Sequence, residues 1–180
     1  MRFLHAADLH LSVSEKDYSL GVLDEILGIA AREKCGALLL AGDVFDSCPD
    51  MESLRGEFRN RLEKLPAECR VFFIPGNHEE LRGGKKSVDA LDFGRALTVT
   101  ALPFQLDVLS PEAELLSLRF RCDYSGYRDW KVPTKNKPHR ILLAHALVPG
   151  VVYTGPEEDS TAGVIEPDLF AFFEVDLAAL

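Results

Sequence analysis

Four apolar, strand-like runs of this chain end in side chains that commonly bind divalent metals. The candidate ligands are Asp8, His10, Asp43, Asn77 and His145. A mixture of carboxylate, amide and imidazole ligands suits manganese, iron or zinc better than calcium or magnesium alone. Two such ions about 3.5–4 Å apart clamp the attacking and leaving oxygens of a phosphoryl transfer and acidify a bound water. The residue types therefore predict two-metal phosphoester chemistry.

The spacing of these residues supports a shared site. Asp8 and His10 stand two residues apart, which in an extended segment places both side chains on one face. Asp43 follows a sharp turn at Gly42, after the buried run 37–41, and its two oxygens can bridge two cations. Because open α/β sheets place their ligands beyond the carboxyl ends of strands, we expect these side chains to meet there.

Three neighbouring residues are predicted to assist the ligands. His78 follows Asn77 and is expected to protonate a leaving oxygen or to steady the phosphate. Asp46 and Glu79 are expected to support the ligands by hydrogen bonds rather than to bind metal. An ordinary loop histidine at position 78 and a satisfied core histidine at His145 are the structural alternatives.

Strand-like and helix-like segments alternate over the first part of the chain. Strands are predicted at 2–7, 37–41 and 71–74, and amphipathic helices between them begin near Ser14 and Asp50. This alternation predicts βαβ units and a largely parallel sheet.

The pattern changes after residue 96. Short strands follow one another without helices, which predicts an antiparallel ribbon or a second sheet. In the segment 114–120 apolar residues such as Leu116 alternate with Ser117 and Arg119, so one face should be exposed to solvent. The predicted elements of this part are strands at 97–100, 105–109, 114–120, 141–144 and 175–180 and a short helix from Pro167.

Composition indicates a globular protein of the cytoplasm. The chain has 180 residues, 47% hydrophobic and 27% charged, and a formal net charge of −9, which disfavours non-specific binding to nucleic acid or anionic lipid. Bound cations would offset part of that charge. Its four cysteines form no CxxC pair, so a zinc-thiolate site or disulfide framework is not expected. The sequence has neither a signal-like apolar stretch nor a membrane-length one, so no membrane association is predicted.

Taken in order, four segments resemble the motifs of calcineurin-like metallophosphoesterases. They are Asp8-Leu9-His10, Gly42-Asp43-Val44-Phe45-Asp46, Gly76-Asn77-His78-Glu79 and His145. The opening run from Phe3 to Leu11 and the Gly-Asp-x-Phe-Asp form are most similar to the branch of DNA double-strand-break repair exonucleases. The resemblance implies an α/β sandwich of two mixed β-sheets flanked by helices, formed by one catalytic domain over residues 1–180.

The resemblance also implies roles for the candidate residues. Asp8 and His10 would bind one metal, Asp43 both, Asn77 and His145 the other, with His78 as catalytic acid. The implied cofactors are two divalent ions, expected to be Mn²⁺, with Fe or Zn open. The implied activity is exonuclease or endonuclease cleavage of DNA, with an ATPase partner subunit in the full-length protein; a homodimer stays open. Arg82, Lys85 and Lys86 would contact DNA or form a solvated charged face.

The sequence departs from the family pattern at one motif. The family completes its metal site with Gly-His-x-His, and the five histidines here, His5, His10, His78, His139 and His145, include no such pair. We therefore expect a C-terminally incomplete domain with weakened metal binding, since water must replace missing ligands. Two alternatives stay open: a small-substrate phosphodiesterase or phosphatase of the same family, and a non-catalytic fragment or interaction module.

Overall fold

The computed structural model describes residues 1–79, 88–120, 123–150 and 163–180. The chain divides into two compact units, Met1–Thr98 and Val99–Leu180. Each unit contains a four-stranded sheet and a hydrophobic core of its own. The predicted α/β class with two sheets is therefore observed, whereas a single catalytic domain over 1–180 stays a prediction.

The first unit is built on a parallel sheet. Its strands occur in the order β1-β2-β3-β4, and every described pair is parallel. The strands are β1 (Phe3–Ala6), β2 (Ala37–Ala41), β3 (Arg70–Ile74) and β4 (Ala96–Thr98), and the helices are α1 (Lys16–Arg32), α2 (Cys48–Leu62) and a 3-10 turn at Val88–Ala90. The predicted βαβ alternation is confirmed.

The core of the first unit lies between the sheet and its two helices. Leu23 and Leu27 of α1 and Phe58 of α2 share one buried cluster with Leu40 of β2 and Phe73 of β3. All five residues of β2 are buried, as expected for an inner parallel strand covered on both faces. This packing fixes the carboxyl ends of the first three strands beside one another.

The residues that cap the two helices differ from those that the sequence predicted. Glu15, not Ser14, precedes α1, and the Ser14 hydroxyl instead lies 2.7 Å from that of Ser12. For α2 the N-cap is Ser47, whose hydroxyl accepts from the N–H of Asp50 at 3.2 Å. A proline in the first turn favours this earlier start, because it needs no N–H partner there.

The second unit is built on a mixed sheet in the order β10-β7-β6-β5. Only the β5–β6 pair is antiparallel among the pairs described in this sheet. Its elements are β5 (Phe104–Ser110), β6 (Ala113–Leu118), a 3-10 helix (Tyr124–Asp129), β7 (His139–Leu143), α3 (Asp168–Phe172) and β10 (Leu177–Ala179), and a separate parallel pair joins β8 (Ala146–Leu147) to β9 (Gly163–Val164).

The solvent-exposed face predicted for residues 114–120 is wrong within β6. Every residue of that strand is buried, including Ser117. The charge of Glu114 is accommodated because its carboxylate accepts a hydrogen bond from Nε of Arg140, which is also buried, at 2.7 Å. A polar residue in a period-two pattern can thus stay inside when it is small or paired.

Two further sequence expectations bear on the chain as a whole. Within the described ranges no helix is both long and apolar enough to cross a membrane. Cys35, Cys48 and Cys69 form no disulfide within the described ranges, and burial raises the pKa of the Cys69 thiol above its usual value. The fourth cysteine, Cys122, lies outside the described residues.

Candidate metal centre

Three loops at the carboxyl ends of β1, β2 and β3 form the candidate site. We call them the first loop (residues 8–11), the second loop (42–46) and the third loop (75–79). The first loop runs along the second, because the N–H groups of its residues donate to carbonyls there. The bonds are Asp8 to Gly42 at 3.2 Å, His10 to Asp43 at 3.0 Å and Leu11 to Val44 at 2.8 Å.

Two groups of candidate ligands converge at this edge of the sheet. The ligand atoms of Asp8, His10 and Asp43 all lie within 4.8 Å of one another. Those of His10, Asp46 and His78 form a second group with the same limit. His10 belongs to both groups, so the structure brings the first two sequence motifs and His78 together. Asp46 lies close enough to the ligands for the supporting role predicted for it.

Three of the ligand positions have an unusual backbone. Asp8, His10 and Asp43 have φ angles of 54°, 46° and 47°, in the left-handed region that non-glycine residues rarely adopt. Such conformations cost about 1–3 kcal/mol each and concentrate at functional sites. The sequence argument placed Asp8 and His10 in an extended segment, which is wrong. The hydrogen bonds to the second loop, not an extended strand, bring the two side chains together.

Asp43 lies at the centre of the site and is almost fully buried, with 3% of its surface exposed. Its Oδ1 accepts a hydrogen bond from the N–H of His78 at 3.0 Å, and its Oδ2 lies 3.8 Å from Nε2 of His78. Asn77, also buried, precedes His78 in the third loop. Asp43 therefore connects the second loop to the third through its side chain.

The His78 ring has a defined orientation. Its Nδ1 is in hydrogen-bond contact with the backbone carbonyl of Asp46. Because a carbonyl can only accept, Nδ1 carries a proton and donates it there. The ring also stands edge-on to that of His10, with centroids 4.8 Å apart. Nε2 is then the nitrogen that faces the carboxylate of Asp43.

Comparison with known proteins assigns the family. A profile of the calcineurin-like phosphoesterases matches residues 1–179. The chain belongs to that family. It is also similar to a Bacillus subtilis (strain 168) protein described as the uncharacterized metallophosphoesterase YhaO, with 31% identity over 99 residues. That match covers 46% of this chain and only 24% of the relative's length.

As a calcineurin-like phosphoesterase, the chain belongs to a family that hydrolyses phosphoesters with divalent metals, and its donor set suits such an ion. Nδ1 of His10 is buried and makes no hydrogen bond within the described part of the chain, although Oδ1 of Asp46 lies 3.3 Å away. A buried ring nitrogen without a partner is unfavourable. A cation could satisfy such a nitrogen, and His10, Asp8 and Asp43 bring imidazole and carboxylate ligand atoms within reach of one ion, so the residues present fit a metal.

The roles predicted for Asn77 and for four further site residues are not tested by this geometry. His145 belongs to the second unit, just after β7, where it is buried with its ring 5.7 Å from that of Phe120. Its role as a ligand stays a prediction. Arg82, Lys85 and Lys86, the predicted substrate contacts, lie outside the described residues.

The sequence analysis missed the apolar side chains that anchor the second loop. Val44 and Phe45 are fully buried, and the Phe45 ring packs 5.4 Å from that of Phe58 in α2. Two adjacent apolar residues within an otherwise polar motif were the available signal. They anchor the loop in the core, which leaves the flanking carboxylates of Asp43 and Asp46 at the site.

Proposed function

We propose that this chain is the catalytic part of a metal-dependent phosphodiesterase that acts on DNA as an exonuclease or endonuclease of the repair type. The observation that carries the metal chemistry is the convergence of Asp8, His10 and Asp43 beside His78. The preference for DNA rests on the resemblance of residues 3–11 and of the Gly-Asp-x-Phe-Asp motif to the repair exonucleases.

The sign of the local charge supports a requirement for metal. Asp8, Asp43 and Asp46 lie around one small site, and together they would repel a phosphodiester. Divalent cations reverse that sign and are the largest local charges in such centres. Asp8, His10 and Asp43 would hold one ion, and for the other the family resemblance implies Asn77, His145 and Asp43.

The two ions would supply Lewis acidity and a nucleophile drawn from water near neutral pH. In the hydrolysis a water oxygen bonds to phosphorus as the bond to the leaving oxygen breaks. The attacking water would release a proton to solvent, and His78, with both ring nitrogens protonated, would give its Nε2 proton to the departing oxygen. The Asp46 carbonyl assists by keeping the other ring nitrogen, Nδ1, occupied. His78 therefore acts as general acid through a single ring atom.

The remaining parts of the proposal concern the surroundings of the site. We propose Mn²⁺ as the working ion, an ATPase subunit as partner of the whole protein, and the cytoplasm as its location. Arg82, Lys85 and Lys86, which follow the third motif, would neutralise phosphates of the DNA backbone. A small-substrate phosphodiesterase or phosphatase is the second candidate, and the net charge of −9 favours it because DNA is itself an anion.

The test compares two substrates at matched Mn²⁺ concentrations. A labelled DNA duplex and bis-nitrophenyl phosphate are incubated with this chain and with its Asp43→Ala variant. We expect DNA cleavage by the unaltered chain, and loss of both Mn²⁺ binding and cleavage in Asp43→Ala. Hydrolysis of the small diester alone would favour the second candidate. Tight Mn²⁺ binding without hydrolysis of either substrate would overturn the proposed function.

A further inference from the structure

One buried carboxylate receives three backbone hydrogen bonds from the loops of the metal centre. The side chain of Glu79 is fully buried. Its Oε1 accepts from the N–H of Phe45 at 2.8 Å. Its Oε2 accepts from the N–H of Asp43 at 3.1 Å and from that of Gly76 at 2.7 Å. The second and third loops are therefore joined through Glu79.

The arrangement requires a carboxylate and not merely a polar side chain. Both oxygens face N–H groups, and an ionised carboxylate offers acceptors on both. A glutamine of the same shape would turn an NH₂ group toward at least one N–H, so that two donors would face each other. Hydrogen bonds to a charged acceptor are also stronger than those between neutral groups.

These hydrogen bonds hold a part of the second loop in which the backbone has positive φ angles. Gly42 and Asp43 are consecutive residues with positive φ angles, 86° and 47°. Glu79 holds the N–H groups of Asp43 and Phe45, on either side of Val44. The second loop is thus held by hydrogen bonds to a side chain of the protein itself.

Glu79 also acts on the side chain of Asp43, through the third loop. Gly76, which it holds by the N–H, lies so close to Asp43 that an added Cβ would sit 2.1 Å from Oδ1. The same Oδ1 accepts from the N–H of His78. The direction of the Asp43 carboxylate therefore depends on where the third loop is held.

We propose that Glu79 is a positioning residue that presets Asp43 for metal binding. The proposal rests on the proposed function, since it takes Asp43 as a metal ligand. It predicts that the loops keep their ligand geometry without metal, and that the affinity for metal depends on the Glu79 carboxylate. Residues that orient metal ligands typically change affinity by about 10–100-fold when they are replaced.

The experiment compares Glu79→Gln and Glu79→Asp with the unaltered chain. Mn²⁺ affinity is measured by competition with a fluorescent chelator, and amide hydrogen exchange is followed in metal-free protein. We expect Glu79→Gln to lose about 10–100-fold in Mn²⁺ affinity and to exchange the amides of Asp43, Phe45 and Gly76 faster. Glu79→Asp keeps both acceptor oxygens and should recover part of the affinity.

A core variant separates positioning from general stability. Leu27→Ala removes a buried side chain of α1, which lies in the same unit but outside the three loops. It should lower the stability to urea while its Mn²⁺ affinity stays within about twofold of the unaltered chain, because the loop hydrogen bonds are intact. An equal loss of affinity in Leu27→Ala would show that Glu79 acts only through stability.

The remaining outcomes test the proposal for Glu79 independently of the proposed phosphodiesterase function. A folded Glu79→Gln variant with unchanged Mn²⁺ affinity and unchanged amide exchange overturns it. If Glu79→Gln does not fold, the Mn²⁺ affinity and amide exchange of Glu79→Asp decide the proposal. If neither variant folds, Glu79 is required for folding and the proposal is overturned. Metal binding by the unaltered chain without hydrolysis counts against the proposed function only, because neither Glu79 measurement uses activity.

Discussion

Gly76 occupies a position where a side chain has no room. An added Cβ would lie 2.1 Å from Oδ1 and 2.6 Å from the backbone nitrogen of Asp43, and a backbone atom cannot move aside cheaply. We expect Gly76→Ala to lose about 1–3 kcal/mol in the free energy of unfolding, measured in urea, and to bind Mn²⁺ more weakly. Gly56→Ala is the matched control: Gly56 lies in α2 with nothing within 4 Å, and alanine should stabilise the helix by about 0.5–1 kcal/mol. Equal stabilities of the two variants would contradict the prediction.

His78 is expected to affect the chemical step more than metal binding. Its Nδ1 is held by the Asp46 carbonyl, and it is not among the proposed ligands. We expect His78→Asn to lower kcat about 10²–10⁴-fold on a phosphodiester, since proton transfer contributes that much, and to retain Mn²⁺ affinity. Asp8→Ala should instead lose Mn²⁺ affinity. A His78→Asn variant that loses metal as severely as Asp8→Ala would make His78 a ligand rather than an acid.

At the scale of elements, Arg95 ties the end of α2 to the start of β3. Its guanidinium donates to the carbonyls of Leu65 at 2.7 Å, Pro66 at 2.9 Å and Cys69 at 3.0 Å. We expect Arg95→Met to lose about 1–3 kcal/mol in urea unfolding, because these carbonyls lose a charged donor. Arg32→Met, which breaks an exposed pair with Glu33, should change stability by no more than about 0.5 kcal/mol. Similar losses in both variants would argue against a specific role for the guanidinium.

The elements themselves were largely predictable because their signals are local. Apolar runs at 37–41, 71–74 and 141–144 correspond to β2, β3 and β7 within two residues at each end. Helix starts were less predictable, since Ser14 and Ser47 both precede acids and only the fold selects between candidate caps. The buried Ser117 of β6 could not be predicted, because its burial depends on neighbouring strands far along the chain.

The site was predictable in its residue types but not in its construction. Asp8, His10 and Asp43 were identified because metal-binding residues at strand ends are a signal in the sequence itself. The left-handed backbone at these positions and the hydrogen bonds from three backbone N–H groups to the Glu79 carboxylate were not identified from the sequence. These features depend on contacts between loops about 35 residues apart, such as Asp43 with His78, and single-segment patterns do not report them.

For the whole molecule, acid stability should depend in part on Asp176. A hydrogen bond from Lys135, and then one from the N–H of Arg140, hold the pKa of this carboxyl below its ordinary value of 3.8. A lowered folded pKa contributes stability above pH 3.8 and loses it as the pH falls through the folded value. We expect Asp176→Asn to be less stable than the unaltered chain at neutral pH, with a deficit in unfolding free energy that shrinks as the pH falls below 3.8, as measured by urea unfolding.

A second variant checks the cause of that pH dependence. Lys135→Met removes the hydrogen bond that contributes most to lowering the pKa of Asp176. This variant should therefore be less stable than the unaltered chain at neutral pH, and the difference in unfolding free energy should shrink over the same acid range. Acid also protonates the other carboxylates in every variant alike. Comparing each variant with the unaltered chain at the same pH removes that common effect from the difference in unfolding free energy. A deficit that stays constant from neutral pH to about pH 2 would show that the Asp176 carboxylate is not responsible.

The positive φ angles of Asp8, His10 and Asp43 have a consequence for mutational drift. A library randomised at these three positions and sorted only for resistance to heat should accumulate glycine and asparagine, which tolerate this backbone best. The surviving variants would keep the parallel sheet and lose the metal. Selection for stability and selection for metal binding favour different residues at these positions. The enrichment of glycine would therefore measure how much stability the three metal-binding side chains cost this phosphoesterase.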